Sequence, residues 1–258
     1  MKRSDKMKDA DKLMIRNQRF FDNVSSHYHD FVQKRKSPNR IEARDDSKDI
    51  IEARLGERVL DVGNGGVRRF FPPQTSFYVG VDFSLEMLRG GNNRTYDKVC
   101  GEATDLPFKE KDFNTILYLY LLHHLAKESV GTSIEAVKKA LREGSTCLKT
   151  GGNVIITETC LPSFLEKVER AFFFILRILL FFTKQSEVFL FSAETLTQIL
   201  TECGYREIRT WNPYREVGSP WKWVRISIAF PNLKIPRWMN PSRVMIFEAR
   251  NESFMGGA

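Results

Sequence analysis

The sequence predicts an α/β fold of three layers, a mostly parallel sheet with helices on both faces. Three observations point there. Core strands are expected near 58–61, 77–82, 97–100, 114–120, 153–159, 206–211 and 243–249. Helical spacing fills 84–90, 127–143 and 192–203 between them, and strands alternating with helices favour a parallel sheet covered on both sides. The first two runs, "RVLD" and "FYVGVD", end in Asp61 and Asp82. Polar groups at the carboxyl ends of parallel strands build a ligand crevice.

Taken in order, residues 1 to about 20 are charged, and "RFFDNVSSHYHDFVQ" reads as a short helical cap. Its Phe20, Phe21, Tyr28 and Phe31 are placed to close over a pocket, with His27 and His29 as partly exposed helix residues. "KRKSPNRIEARDDSKD" is a polar connection. The organisation expected is a cap and linker over 1–50 and a ligand-binding domain over 51–258, with insertions at 161–191 and 212–242. Ser192 caps the last regular helix, Glu194 lies in its first turn and Gly204 ends it.

The turn after the first strand carries the chemistry. It reads D-V-G-N-G-G-V-R-R from Asp61, with glycines that let the backbone approach a ligand. No glycine stands at position 68, so the dinucleotide spacing G-x-G-x-x-G is not met, and no G-x-x-x-x-G-K-[ST] phosphate loop occurs. Asp61 would repel a pyrophosphate but pair with an ammonium. Asp82, about 20 residues on, is at the distance in sequence that serves a ribose diol. A ribose joined to an amino-acid end describes S-adenosylmethionine.

The same residues resemble the class I S-adenosylmethionine-dependent methyltransferases, in particular the broad quinone and small-molecule group. The resemblance runs from about Arg58 to Gly152 and returns at "FSAETLTQILTECGYREI". It implies a Rossmann-like fold with a seven-stranded sheet whose last strand, "RVMIFEAR", is antiparallel. Asp61, Gly63 and Gly65 match the turn that holds the methionine end, and Asp82 matches the ribose acid. In "GEATDLPFKEKDFNTI", Glu102 stands where an acid meets the adenine amino group and Ala103 offers its N–H to the ring. Asn64, Phe83 and, more weakly, Tyr118 complete the expected cofactor pocket, with Tyr120 a weaker neighbour. "CLKTGGNVIITE" resembles the family's turn and fifth strand. Val67 in place of a third glycine, Asn114 in place of Asp and Thr150 in place of Pro mark a divergent member.

The reaction this implies is methyl transfer to an oxygen or carbon of a small or lipophilic molecule. "LLHHL" follows the fourth strand at the mouth of the site. An imidazole is a suitable base toward a hydroxyl or enolic carbon. His124 aligns better with the family's histidine and is the first candidate, with His123 second. No metal is implied. Methylation of RNA, such as a modified tRNA uridine, is the alternative, because "LLHHL" also resembles enzymes of that kind. A non-catalytic partner of another methyltransferase is the third, and retained ribose and adenine residues argue against it.

Composition bounds these readings. A chain of 258 residues with 42% hydrophobic content buries one substantial core. A net charge of +8 favours anionic partners without naming one. Cys100, Cys147, Cys160 and Cys203 form no C-x-x-C pair and read as buried thiols of a reducing compartment. The N-terminus has no signal-peptide core, so a cytoplasmic location is expected. Within 171–182 only Arg177 is charged, a run too short to span a bilayer. It reads as a buried helix, a lid over a greasy pocket or an interfacial helix giving peripheral membrane contact. The segment 212–242 mixes Trp221, Trp223 and Trp238 with Lys222, Arg225, Lys234 and Arg237. It reads as a folded flap, a base-stacking surface or a headgroup contact.

Overall fold

The computed structural model describes residues 15–25, 46–91, 96–182, 186–213, 223–225, 234–236 and 241–251. Residues 15–25 are helical (α1), followed by α2, Ser47–Glu52. Then come β1 Arg58–Val62, β2 Phe77–Asp82, α3 Leu85–Gly90, β3 Asp97–Cys100 and β4 Phe113–Leu119. A 3-10 turn, Leu122–Leu125, leads to α4 Val130–Cys147, β5 Leu148–Cys160 and α5 Ser163–Phe182. The chain closes with α6 Ala193–Glu202, β6 Tyr205–Trp211, the short strands β7 Trp223–Arg225 and β8 Lys234–Pro236, and β9 Arg243–Asn251.

Seven strands form one sheet in the order β3-β2-β1-β4-β5-β9-β6. All neighbours are parallel except β9, which runs antiparallel to both β5 and β6. The expected Rossmann-like sheet with an antiparallel last strand is therefore borne out. The strand order reverses at β1 and β4, which puts a crevice at their carboxyl ends.

Strand alternation divides the core into two layers. Leu60, Val81, Ile116, Tyr118, Val154, Ile156 and Phe247 face one side, under Val137 and Leu141 of α4 and Leu196 and Leu200 of α6. Val59, Tyr78, Leu117, Ile155 and Ile246 face the other, under Ile51 of α2. Both faces are covered, so the central strands read as continuous apolar runs. The edge strand β3 is short and β6 is largely exposed and polar, which discourages edge pairing. Cys100 ends the edge strand β3 and is exposed, unlike the buried thiol expected; Cys147 and Cys160 are buried.

Local chemistry sets the helix ends. Ser129 Oγ accepts from Thr132 N while the Thr132 side chain answers the Ser129 N–H, a capping box that starts α4. Ser192 Oγ accepts from Thr195 N at the start of α6, and Gly204 at φ +88 follows its end.

The run 171–182 does not form a buried core helix. It belongs to α5, in which only Glu166 and Phe173 are buried. Among the described residues no helix is long and apolar enough to cross a membrane. Tyr28, Phe31, His27 and His29 lie outside the described residues, as do the aromatic and basic side chains of 212–242.

Candidate active site

The site is built where β1, β2 and β4 end. Gly63, Gly65 and Gly66 take φ of +70, +63 and +75, backbone that L side chains rarely adopt. At Gly63 a Cβ would stand 2.6 Å from Leu121 Cδ1, and at Gly66 it would collide with the Met87 carbonyl oxygen. The turn is thus pressed between the 3-10 segment and α3, with no room for side chains.

Asp61 lies beneath this turn, 1% exposed. Its Oδ2 accepts from Asn64 Nδ2 at 2.5 Å and from the Tyr78 hydroxyl at 2.6 Å. Its Oδ1 is buried without a hydrogen-bond partner. Burial pushes the carboxyl up from 3.8 to about 6, opposed by the Tyr78 and Asn64 hydrogen bonds and by Arg69. The Tyr96 hydroxyl donates to Asn64 Oδ1 at 2.7 Å, which fixes the amide that serves Asp61.

Asp82 holds the turn from the other side. Its Oδ2 accepts from Gly65 N at 2.9 Å and its Oδ1 from Ser84 N at 2.9 Å. The Phe83 backbone also hydrogen-bonds this carboxylate. Burial raises its pKa, while the backbone donors Ser84 and Gly65 oppose the rise. Ser84 also starts α3 by accepting from Met87 N at 3.1 Å.

Beyond β4 the chain turns sharply at Tyr120, a non-glycine residue at φ +57. Strained backbone of this kind clusters at functional sites. The turn delivers two histidines. His123 Nδ1 lies 2.6 Å from Glu158 Oε2, and Glu158 Oε1 accepts from Leu122 N at 2.6 Å. The ring of His124 lies 4.1 Å from that of His123 and edge-on to Phe21 at 4.9 Å. His124 Nδ1 is covered and has no hydrogen-bond partner. Burial, then the neighbouring His123, holds this imidazole well below 6.5, so it is neutral at pH 7.

Of the aromatic N-terminal segment, Phe20 and Phe21 lie in α1 among the described residues. Phe21 packs edge-on to both Phe83 and His124. Ser84 Oγ donates to Asp22 Oδ1 at 2.5 Å. Phe83, Asp82, His124 and the glycine turn thus lie together under α1. Glu102 and Ala103 follow β3 at its carboxyl end; Glu102 is exposed, with Thr104 Oγ1 at 3.5 Å.

Tyr118 is not brought to this group. Its side chain is fully buried and its hydroxyl donates to the Ala140 carbonyl at 2.8 Å. Alternation along β4 points it under α4, into the core, so the pocket role expected of it is corrected to a packing role. Glu158, Tyr78, Tyr96 and the Asp22–Ser84 contact were missed from sequence. Only Glu158 had a signal, as an acid near the carboxyl end of a parallel strand like Asp61 and Asp82.

The sheet order, the glycine turn and the two strand-end carboxylates define an α/β protein built for a nucleoside cofactor. Residues 60–156 match the family described as "Methyltransferase domain". The demethylmenaquinone methyltransferase of Corynebacterium urealyticum is 31% identical over 109 residues, 42% of this chain and 44% of that protein. The tRNA (carboxymethyluridine(34)-5-O)-methyltransferase of Arabidopsis thaliana is 28% identical over 102 residues, 40% of this chain and 24% of that protein. A SAM-dependent methyltransferase structure from Thermotoga maritima superposes with a TM-score of 0.56 at 17% identity, over 90% of this chain and 99% of that one. The chain spans less than half the length of the first two curated relatives it matches, at 44% and 47%. Over residues 60–156 the chain is thus similar to S-adenosylmethionine-dependent methyltransferases, and it shares their fold more widely.

The residues present fit that cofactor. The orphaned Asp61 Oδ1 is an acceptor that the ammonium of a methionine end would satisfy.

Proposed function

We propose that this protein transfers a methyl group from S-adenosylmethionine to an oxygen or carbon of a small or lipophilic molecule. The observation that carries the reading is the buried, half-satisfied carboxylate of Asp61 beneath a glycine turn that Asp82 ties down. When bound, S-adenosylmethionine supplies an electrophilic methyl carbon on its sulfonium.

The chain's own residues do the rest. Asp61, Gly63, Asn64 and Gly65 receive the methionine end, Asp82 the ribose, and Phe83, Glu102 and Ala103 the adenine. Phe21 and Phe83 shield the pocket from water, which strengthens each polar contact inside it. His124, neutral at pH 7, takes the acceptor's proton through a ring nitrogen. Glu158 orients His123, which buttresses the His124 ring. Residues 1–50 act as cap and linker, and the insertions at 161–191 and 212–242 select the acceptor. The apolar α5 beside the site and the likeness to demethylmenaquinone methyltransferases favour a lipophilic acceptor.

The test is calorimetric titration with S-adenosylmethionine of the wild type and the Asp82→Ala variant. It is followed by transfer of labelled methyl to a quinol or phenol acceptor. Binding of about −8 kcal/mol, lost in the variant, is expected. His124→Ala is expected to lower kcat by about 10²–10⁴-fold while leaving cofactor affinity unchanged. No binding by a folded wild type overturns the reading. A second reading, methylation of a tRNA uridine, has the Arabidopsis relative and the net charge of +8 in its favour. Label in RNA and none in the small acceptor would select it.

A further inference from the structure

Helix α5 is amphipathic in the reverse of the usual sense. A surface helix turns apolar residues inward and charges outward. In α5 the carboxylates and Arg177 turn inward. Glu166 accepts from Ser192 N at 2.9 Å and Thr195 Oγ1 at 2.7 Å, and Glu169 accepts from Leu190 N at 3.1 Å. Arg177 pairs with the buried Glu187 at 2.8 Å. Outward stand Phe172, Phe174, Ile175, Leu179, Phe181 and Phe182, with Phe174 70% and Phe182 76% exposed. The exposed charged residues of the helix are Lys167 and Arg170, both cations in its first half; Arg170 is paired with Glu166, so Lys167 is the cation left for the outward face.

We propose that this outward face docks on an anionic bilayer surface, α5 lying in the interface plane. Such a helix needs an apolar face to enter the acyl boundary and cations to meet the headgroups. α5 has the apolar face and Lys167, has no exposed acid to oppose it, and sits on a chain of net charge +8. Its charges keep it from spanning the membrane, as its hydropathy shows.

The docked face is joined to the cap of the active site. Glu187 binds Arg177 of α5 and also Arg16 of α1, at 3.3 Å, while its backbone N–H donates to Asn17 Oδ1 at 3.3 Å. Arg16 lies over the Phe181 ring at 5.4 Å. The other end of this cap carries Phe21 onto His124. A bilayer under α5 therefore lies beside the mouth of the site. Docking itself needs neither cofactor nor acceptor and stands apart from the proposed reaction.

The experiment is co-sedimentation of the full chain, without cofactor, with phosphatidylcholine vesicles with or without phosphatidylglycerol. The wild type, a Phe174→Gln/Phe182→Gln variant and Lys167→Glu are compared, and each is weighed by light scattering without lipid. Partition onto the anionic vesicles is expected, reduced at least about tenfold in the Phe variant and less in Lys167→Glu. Unchanged thermal unfolding shows that the variants are folded. Failure of the wild type to sediment, equal binding to neutral vesicles, or indifference to the Phe substitutions overturns the proposal. So does a wild-type dimer that the Phe variant turns into monomers, which assigns the face to a second copy of the chain.

Discussion

Replacing Asp61 with asparagine separates what this carboxylate does for the fold from what it does for the ligand. The free protein holds Asp61 at about 6 rather than 3.8, with burial as the principal cause. That difference corresponds to about 3 kcal/mol against the folded state at pH 7. In the Asp61→Asn variant the amide oxygen would still accept from Asn64 and Tyr78, and the side chain carries no charge. The variant is therefore expected to be more stable by about 1–3 kcal/mol at pH 7.5. Between the two pKa values the native state binds more protons than the unfolded one. Wild-type stability from this group is therefore greatest below about pH 4 and is lost as pH rises through about 6. The advantage of the variant should shrink toward zero as pH falls over the same range. S-adenosylmethionine affinity should move oppositely, falling about 100-fold, or about 3 kcal/mol, as the buried ion pair is lost. Urea unfolding at pH 7.5 and pH 4.5, with calorimetry of cofactor binding, reads both quantities. A variant destabilised at pH 7.5 that binds the cofactor like wild type would refute the reasoning.

Two further substitutions probe the frame of the site. Gly66→Ala puts a Cβ against the Met87 carbonyl at a φ of +75, so a loss of at least about 2 kcal/mol in urea stability is expected, together with weakened cofactor binding. Tyr118→Phe removes a buried hydroxyl that donates to Ala140, and should cost about 1 kcal/mol while cofactor affinity, read by calorimetry, stays at the wild-type value.

The sheet was legible because its central strands β1, β2 and β4 each have a short apolar run, and β1 and β2 carry an acid at or beside their carboxyl ends. β1 to β6 fall where the pattern put them, and β9 takes the antiparallel place. Tyr118 was misread because β4 is buried on both faces, so no polar alternation reveals which residues face α4. The run 171–182 was open to three readings for a related reason: apolar composition alone does not say whether a helix faces its own core or something else. Only the inward placement of Glu166 and Glu169 decides it. The Asp22–Ser84 and His123–Glu158 contacts join residues far apart in the chain, and no local pattern encodes them.

The place of β9 has a consequence for how the protein is made. Its neighbours, β5 and β6, are synthesised before it, yet in the finished sheet they are separated by it. When α6 and β6 have left the ribosome, β5 presents an unpaired edge along Asn153–Cys160 that only residues 243–250 satisfy. The sheet therefore closes by insertion rather than by addition at a rim. Until that insertion, one central strand of the nascent domain is an open template for foreign strands. A chain stopped before Arg243 would keep every residue of the proposed cofactor site and still be expected to aggregate.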